Sequence, residues 1–545
     1  MHDALVRGFT DSCQNVPHKP AFIIGDEVYT YGLLASGIAQ LETDLADGLN
    51  QAGVGVDSDC KGKALCIAVS LGNCVDLALW YLLSVKQGQL FVLLDPSWSD
   101  LERDYALSLV KPDVLVSADG QEKSAIRFFV NSPTEHAVIS SHQLFFAGFT
   151  SGSSGRPKAF ARTAKSWITS FESSAVEFGT SSDSVIVAPG PLSHGLGFFA
   201  MAESFYHGAT FVSQRVFSAT SCLQILQTGR YGQSRSSQTI AVSMMVLVPS
   251  MLHAILESAD ANKESPTHYD NAQALQIVTA GAKLVSRVRQ RCATHFPDIS
   301  LSEYYGASEL SFVSVAAGLE PVPERSVGRA FTNVRVSIGE ADEVGDEGLI
   351  QVSSDLLASG YLQRTEEGLI LCPLAESAWA TVGDRGYLDE SGYLYLLDRD
   401  DRMMNSGGLK VYPSVVERAA ADYFVAIENT GTEHDDDRLG DPLDDHLGNR
   451  QGYPNCVVVG LPDDYWGDRV GLVVAGAGWT CSHVQEHKNA LLEFCRSRLQ
   501  RHELPKQVFY CERLPMTSSG KISYRELQLA LIESQGAEGD YCREV

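Results

Sequence analysis

The stretch FAGFTSGSSGRPK at residues 146–158 passes from an apolar run into a loop of glycines and hydroxyls that ends in a lysine. Gly152 and Gly155 let backbone N–H groups face one anion, while the hydroxyls and Lys158 add donors and positive charge. The spacing is not that of a Walker loop, and a flexible linker seldom follows an apolar run so closely. A polyphosphate-binding loop is therefore predicted. Its expected contacts are Thr150, Ser151, Gly152, Ser153, Ser154, Gly155 and Lys158.

The composition is that of a large globular protein. With 545 residues the chain exceeds one ordinary hydrophobic core, and its 44% hydrophobic and 20% charged residues exclude a disordered or fibrous class. The net charge of −26 argues against nucleic acid as a partner, because such binding relies on clustered Lys and Arg. Twelve cysteines without a CxxC pair favour free thiols in a reducing compartment over a zinc ribbon or disulfide scaffold.

Two segments bear on localisation. The N-terminus lacks a basic segment followed by an apolar run, so no secretory signal is expected. Residues 64–85 form the most apolar long stretch, but Asp76 interrupts it, which favours a buried core segment over a membrane span. We expect a cytoplasmic protein without a transmembrane segment.

Short apolar runs alternate with amphipathic segments from about residue 20 to residue 400. The runs at 184–190, 241–250 and 275–282 each end in small or turn residues, which predicts strands that feed loops and helices in an α/β fold. Ligands are expected at the strand ends of such a fold. Farther on, the turn residues 389–392 separate two aromatic runs and predict a hairpin.

The last part of the chain differs in character. It combines helical stretches such as 489–500 with strands such as 455–461, which predicts a small α+β domain. We place a large domain at residues 1–400 and the small domain at residues 401–545. Acidic residues crowd positions 433–445, but a charge run without alternating ligands and a closing Glu favours a solvated loop over a metal site.

Three further motifs accompany the loop: EYYGASEL at 303–310, GDRGYLDESGYLYLLDRDD at 383–401 and LPMTSSGKISYREL at 514–527. Together the four resemble the adenylate-forming superfamily of acyl-CoA and aryl-CoA synthetases, peptide-synthetase adenylation domains and beetle luciferases. They occur in the family's order, which makes coincidence a poor explanation. The resemblance implies an α/β fold with a large multi-sheet N-terminal domain of the adenylate-forming type and a small mobile α+β C-terminal domain.

The resemblance also implies roles for single residues. Tyr305 is expected against adenine, and Glu309 near the Mg²⁺ that accompanies ATP, with Ser308 where the family usually has threonine. Asp384 is expected to bind the ribose, whose hydroxyls suit a carboxylate acceptor. Lys521 is expected to reach the carboxylate and the α-phosphate during adenylation, and Lys158 to assist. Further nucleotide contacts are assigned to Gly281, Ala282, Gly306 and Arg399.

The segment at 188–209 bears on the acid that would be activated. Its apolar spacing suggests a helix lining an acyl pocket, and His194 aligns with a family histidine that often gates this pocket. A histidine at a helix start is otherwise more often a capping or core residue. Phe198 and Phe199 occupy a region where amino-acid-activating relatives place an aspartate, which favours an aliphatic or aryl acid.

The expected reaction is ATP-dependent formation of an acyl-AMP followed by transfer to the thiol of coenzyme A, as in an acid-thiol ligase of fatty acid metabolism. By resemblance, Asp401 is the hinge for rotation of the small domain between the two steps, and Gly407 and Gly408 border the pantetheine tunnel. The alternatives are loading of a separate acyl carrier protein, a luciferase-like oxygenase and a non-catalytic nucleotide-binding protein. The acidic segment at 428–452 is interpreted as a surface insertion.

Overall fold

A computed structural model describes most of the chain. The described residues are 2–52, 64–118, 124–129, 137–150, 157–232, 239–261, 275–282, 284, 286–317, 322–323, 326–339, 343–375, 377–399, 402–406, 409–429, 454–463, 467–476, 479–516, 522–534 and 542–544.

The described helices are, in chain order, α1 (His2–Leu5), α2 (Arg7–Asn15), α3 (Tyr31–Gln51), α4 (Val75–Gln87), α5 (Asp100–Val110), α6 (Ala137–His142), α7 (Ala164–Phe178), α8 (Gly195–His207), α9 (Ala219–Thr228), α10 (Pro249–Ala261), α11 (Ser286–His295), α12 (Pro413–Asn429), α13 (Cys481–Arg496) and α14 (Tyr524–Ser534). The described strands are β1 (Pro20–Ile24), β2 (Glu27–Thr30), β3 (Cys66–Ser70), β4 (Leu90–Leu93), β5 (Val114–Ala118), β6 (Ser124–Phe128), β7 (Leu144–Thr150), β8 (Lys158–Thr163), β9 (Val185–Ala188), β10 (Thr210–Ser213), β11 (Arg230–Gly232), β12 (Thr239–Ala241), β13 (Met244–Leu247), β14 (Gln276–Thr279), β15 (Ser300–Ala307), β16 (Ser311–Ala316), β17 (Ser326–Ala330), β18 (Arg335–Gly339), β19 (Gly348–Ser353), β20 (Gly360–Thr365), β21 (Gly368–Pro373), β22 (Asp384–Leu388), β23 (Tyr393–Arg399), β24 (Met404–Ser406), β25 (Leu409–Val411), β26 (Asn455–Asp463), β27 (Gly467–Ala475), β28 (Gln507–Cys511) and β29 (Cys542–Glu544).

Two large sheets organise the part of the chain before residue 400. Sheet A has the strand order β18-β19-β22-β23-β17-β16-β15-β14-β13-β9-β10-β1-β2, and sheet B has the order β21-β20-β8-β7-β4-β3-β5-β6. The central strands of each sheet run parallel. Strands β9 and β13 are buried along their whole length, as expected where helices cover both faces of a parallel sheet.

The main core lies between the two sheets. It joins buried residues of both sheets with residues of α3, α4, α7 and α8. Aromatic rings fill it: Trp167 of α7 lies 4.6 Å from Phe146 of β7, and Phe198 of α8 lies 5.4 Å from Phe91 of β4, measured between ring centroids. Separate cores cover the outer faces, with α9, α10 and α11 on sheet A and α5 on sheet B. Helix α8 lies in the main core, so residues of both sheets pack against it.

A third sheet contains the described strands after residue 400. Its path is β25-β24-β27-β28-β29, with β26 paired to β27, and cores on its two faces contain residues of α12 and α13 on one side and α14 on the other. Ser414 of α12 donates a hydrogen bond to the carbonyl of Leu397 at 2.6 Å, which links this part to strand β23. The acidic run at 433–445 lies outside the described residues.

The predicted α/β class, with several sheets before residue 400 and a smaller α+β part after it, is confirmed. The three apolar runs form β9, β13 and β14, and the predicted turn joins β22 to β23 in an antiparallel pair. The predicted helix at 489–500 ends earlier, since α13 stops at Arg496. No helix among the described residues is long and apolar enough to cross a membrane.

The expectation of free thiols holds for the nine cysteines found free, but it is wrong for Cys511, which is disulfide-bonded. Strand pairing sets the Cα of Cys511 opposite that of Cys542 in the β28–β29 pair. Residues so far apart in sequence become neighbours only through that pairing, which spacing alone does not reveal.

Among the described residues no cluster of three or more metal-ligating side chains is found.

Helix α8 carries one buried acid. Glu203 is 4% exposed, and its Oε1 has no hydrogen-bond partner among the described residues. Burial raises the pKa of Glu203 from 4.5 to about 8, because the interior disfavours the charged form. The carboxyl is therefore mostly neutral in the folded protein at neutral pH and charged in the unfolded chain.

The folded state should consequently lose stability as pH rises from 4.5 to about 8, since only the unfolded chain ionises across that interval. The loss attributable to Glu203 is up to about 5 kcal/mol, at about 1.4 kcal/mol per pH unit. Glu203→Gln cannot ionise, so it should gain stability over the wild type as pH rises, as measured by urea unfolding at several pH values. The exposed Glu390→Gln is the control, and a pH-independent difference for Glu203→Gln would contradict the assignment.

Candidate functional site

The glycine-rich loop connects β7 and β8, two adjacent strands inside sheet B. Residues 151–156 lie outside the described part, so the structure says nothing of Ser151, Gly152, Ser153, Ser154 or Gly155 themselves. Strands β7 and β8 on either side are antiparallel, and their register pairs Thr150 directly with Lys158. The loop therefore leaves the sheet and returns to it at one point.

Glu309 lies against this end of the hairpin. The hydroxyl of Thr150 donates a hydrogen bond to Oε1 of Glu309 at 2.8 Å. The hydroxyl of Tyr361, in β20, donates one to the same oxygen at 2.9 Å. The Nζ of Lys158 lies 5.7 Å from the centre of the Tyr361 ring. Glu309 is 7% exposed, so two hydroxyls hold a largely buried carboxylate next to the loop. The structure thus brings together Thr150, Lys158 and Glu309.

Arg162 of β8 braces the backbone of the same region. Its guanidinium donates to the carbonyl of Ser308 at 2.8 Å and to the carbonyl of Leu356 at 2.7 Å. Burial lowers the pKa of this 3% exposed guanidinium to about 10, while the nearby Glu309 carboxylate opposes that shift. Arg162 still carries its positive charge at neutral pH and ties sheet B to the residues after β15.

A second polar contact lies along the 303–310 motif. The hydroxyl of Tyr305 donates to Oδ2 of Asp384 at 2.5 Å, and the β22–β23 register pairs Asp384 with Arg399, of which only the backbone is described. Gly306 has no room for a side chain, since an added Cβ would lie 2.1 Å from the carbonyl oxygen of Ser311. The residues expected to hold adenine and ribose therefore come from one sheet, sheet A, in which β23, β17 and β16 lie between β22 and β15.

The segment containing Gly281 and Ala282 is held against the same strand. Gly281 has φ +91°, in the region that favours glycine, and lies two residues after the end of β14. The carboxylate of Glu303, in β15, accepts hydrogen bonds from the backbone N–H of Leu284 at 2.6 Å and from Arg289 at 3.0 Å. This buried acid fixes the segment beside the start of the 303–310 motif.

His194 occupies the N-cap position of α8, but its side chain makes no capping bond. Its Nε2 instead lies 2.9 Å from Oδ2 of Asp95, just after β4. The following Gly195 faces Ser308, whose Oγ would lie 3.6 Å from an added Cβ. The start of the helix thus lies beside the 303–310 motif.

Two aromatic residues of α8 differ in their surroundings. Phe198 is 1% exposed and packs against Tyr81, Phe91, Phe146 and Trp167, so its ring is part of the inter-sheet core. Phe199 is only partly buried. A role for either ring in an acyl pocket stays a prediction.

The remaining predicted site residues are outside the described part of the chain, namely Asp401, Gly407, Gly408 and Lys521.

Sequence reasoning missed four residues that organise the site, namely Asp95, Arg162, Glu303 and Tyr361. The sequence contains a signal for Asp95 and Arg162, because each is a charged residue beside or within an apolar run. Both are buried in the structure. Tyr361 left none, since an aromatic residue is common in a strand.

Glu309 suits a Mg²⁺ ion that arrives with phosphates. Mg²⁺ is usually bound through one or two carboxylates together with substrate phosphates rather than in an all-protein cage. The hydroxyls of Thr150 and Tyr361 both donate to Oε1 of Glu309. Among the described residues no cluster of three metal-ligating side chains is found. The Glu309 carboxylate therefore has the chemistry to hold a Mg²⁺ ion together with substrate phosphates.

Comparisons with known proteins match most of the chain. Residues 9–362 match the family model described as AMP-binding enzyme, and residues 444–521 match the AMP-binding enzyme C-terminal domain. The uncharacterized acyl-CoA ligase YhfT of Bacillus subtilis is 28% identical over 86% of this chain and 88% of its own length. The putative long chain fatty acid-CoA ligase VraA of Staphylococcus aureus is 26% identical over 96% of this chain and 98% of its own.

Solved structures share the fold. The o-succinylbenzoate CoA synthetase MenE of Bacillus subtilis, in complex with its acyl-adenylate intermediate, has a TM-score of 0.70 at 21% identity and covers 96% of this chain and 97% of its own. ATP-bound MatB from Rhodopseudomonas palustris has a TM-score of 0.68 at 16% identity over 98% of this chain and 99% of its own. The expected adenylate-forming fold is confirmed.

Replacing Arg162 with methionine should leave the carbonyls of Ser308 and Leu356 without their buried donor. We expect the free energy of unfolding to fall by about 2–4 kcal/mol, as measured by urea denaturation. Lys165→Met is the matched control, because Lys165 is exposed and its pair with Asp355, at 3.4 Å, is on the surface. That control should change stability by less than about 0.5 kcal/mol, and equal losses in the two variants would contradict the bracing role.

Proposed function

The chain belongs to the AMP-binding enzyme family, and on that premise we propose that it activates a hydrophobic carboxylic acid as an acyl-AMP and transfers the acyl group to coenzyme A. The observation that carries the proposal is the bond from Thr150, at the phosphate loop, to Glu309, because it joins a polyanion site to a carboxylate suited to Mg²⁺. Tyr305 and Asp384 lie on β15 and β22 of the same sheet, are joined by a hydrogen bond, and suit adenine and ribose.

In the first step a carboxylate oxygen of the acid attacks the α-phosphorus of ATP, and pyrophosphate leaves. The protein must hold several negative charges together in line, so positioning and charge stabilisation supply most of the catalysis. We assign this work to Lys521 and to Lys158 with the loop donors Ser151, Gly152, Ser153, Ser154 and Gly155. Glu309 would hold Mg²⁺, which when bound neutralises charge on the triphosphate.

In the second step the sulfur of coenzyme A attacks the acyl carbonyl carbon, and AMP leaves with the bonding electrons. Coenzyme A is preferred over a carrier protein because the curated relatives are named as CoA ligases. An aliphatic or aryl acid is preferred because the described helix α8 presents Phe199 and no aspartate. Use of ATP and coenzyme A fits the cytoplasmic location that we propose.

The test is to incubate the protein with ATP, Mg²⁺ and a panel of fatty, aryl and amino acids and to measure AMP release with and without coenzyme A or a carrier protein. We expect thiol-dependent AMP release with a fatty or aryl acid. Lys521→Ala should slow adenylation by about 10²–10³-fold through loss of a cation near the α-phosphate, whereas the exposed control Lys165→Ala should not. Unaltered adenylation in Lys521→Ala, or no AMP release from any acid, would defeat the proposal.

The residues on either side of Asp401 belong to different sheets, which supports the hinge that we propose there. Arg402 is held by the buried Glu417 at 2.6 Å and lies 4.1 Å from the centre of the Tyr524 ring, so it belongs with the third sheet. Leu397 belongs to β23 of sheet A. A rotation between these two parts would be absorbed by the few intervening backbone dihedrals.

Asp401→Pro should fix one of those dihedrals, because the proline ring locks φ near −65°. Acyl-adenylate formation, measured by pyrophosphate exchange, should persist. Thioester formation should be abolished. Asp401→Ala is the control, and it should retain both steps. Equal loss of the two steps in Asp401→Pro would refute the hinge.

A further inference from the structure

The turn that leads into α8 is held by two residues from loops that follow strands of sheet B. Asn73, in the loop after β3, accepts a hydrogen bond from the backbone N–H of Leu192 at 2.7 Å and donates to the carbonyl of Gly190 at 2.9 Å. Asp95 follows β4, the neighbouring strand, and accepts from His194 at 2.9 Å. Polar side chains at two adjacent strand ends thus hold one turn.

Asp95 uses its two oxygens differently. Oδ1 accepts the backbone N–H of Ser97 at 2.9 Å and the hydroxyl of the same residue at 2.7 Å, while Oδ2 faces Nε2 of His194. Burial alone would raise the pKa of Asp95, but the hydrogen bonds from His194 and Ser97 outweigh it and lower the pKa to about 2. The carboxylate is ionised at neutral pH and can only accept.

A carboxylate that only accepts requires a proton on Nε2 of His194. In the neutral ring the lone pair is then on Nδ1. The side chain of His194 is 49% exposed, and among the described residues no second hydrogen bond to the ring is found. Nδ1 is therefore the ring nitrogen left to accept a hydrogen bond at the start of α8, where Gly195 faces Ser308.

We propose that Asp95 is a positioning residue, which fixes the tautomer and the orientation of His194 so that Nδ1 accepts a hydrogen bond from a bound reactant. The proposal rests on the proposed function for its kinetic consequence but not for the tautomer itself. It explains why His194 has the N-cap position without capping the helix: its ring is turned toward Asp95.

Asp95→Asn is the informative variant because it keeps the shape of the side chain. The backbone N–H of Ser97 can only donate, so the amide oxygen must face it and the amide NH₂ must face His194. Nε2 then has to accept, which moves the ring proton to Nδ1. The substitution should thus invert the tautomer without removing the contact.

The first measurement is made on ¹⁵N-histidine-labelled full-length protein at about pH 9, where a histidine ring is ordinarily neutral. His194→Gln identifies the signal of His194 among the 14 histidines. We expect Nε2–H in the wild type and Nδ1–H in Asp95→Asn. A wild-type ring protonated at Nδ1, or one tautomer in both proteins, would overturn the proposal. The wild-type result decides even if the variant does not fold.

The second measurement is a double-mutant cycle on thioester synthesis. Asp95→Asn should lower kcat by about 10²-fold with the KM for ATP unchanged, and Ser97→Ala, which keeps the bond to His194, should lower it less than about threefold. In a His194→Ala background, Asp95→Asn should cost less than about twofold. An equal cost in both backgrounds would show that Asp95 does not act through His194. A wild type inactive with every acid would defeat the proposed function, while the tautomer measurement would still decide the role of Asp95.

Discussion

The carboxylate of Glu309 joins the two large sheets through hydrogen bonds. Glu309 follows β15 of sheet A, whereas Thr150 and Tyr361, which donate to it, belong to β7 and β20 of sheet B. Arg162 of β8 adds a buried cation that holds the adjoining carbonyl of Ser308. A buried carboxylate is costly unless hydrogen bonds compensate it, so the two sheets can pack here only if these partners are in place.

The same requirement makes this junction useful for chemistry. The hairpin of sheet B ends at Thr150 and Lys158, and the motif of sheet A contributes Tyr305 and Glu309. A nucleotide bound here would contact loops from both sheets, which lie at strand ends as in other α/β proteins. In the proposed reaction, a Glu309 side chain fixed before the ligand arrives would reduce the reorganisation needed.

A second junction lies at the start of α8. Here the sheet B side contributes Asn73 and Asp95, and the helix contributes the turn that includes His194. Aromatic packing of Phe198 between the sheets holds the rest of the helix. Because the helix cannot shift without disturbing that core, its first residue has a defined place relative to Ser308.

The sequence by itself determined the α/β class, the strands at the apolar runs, the hairpin at 389–392 and, through four ordered motifs, the family. These are local properties, because periodicity, turn chemistry and motif spacing depend on residues close in the chain. Tertiary structure alone decided that Asp95 contacts His194 and that Cys511 is disulfide-bonded. It also decided that Tyr361 bonds to Glu309 and that Arg162 bonds to the adjoining carbonyl of Ser308. Thr150 and Glu309 are 159 residues apart in the chain, and only the packing of two sheets brings their oxygens within 2.8 Å.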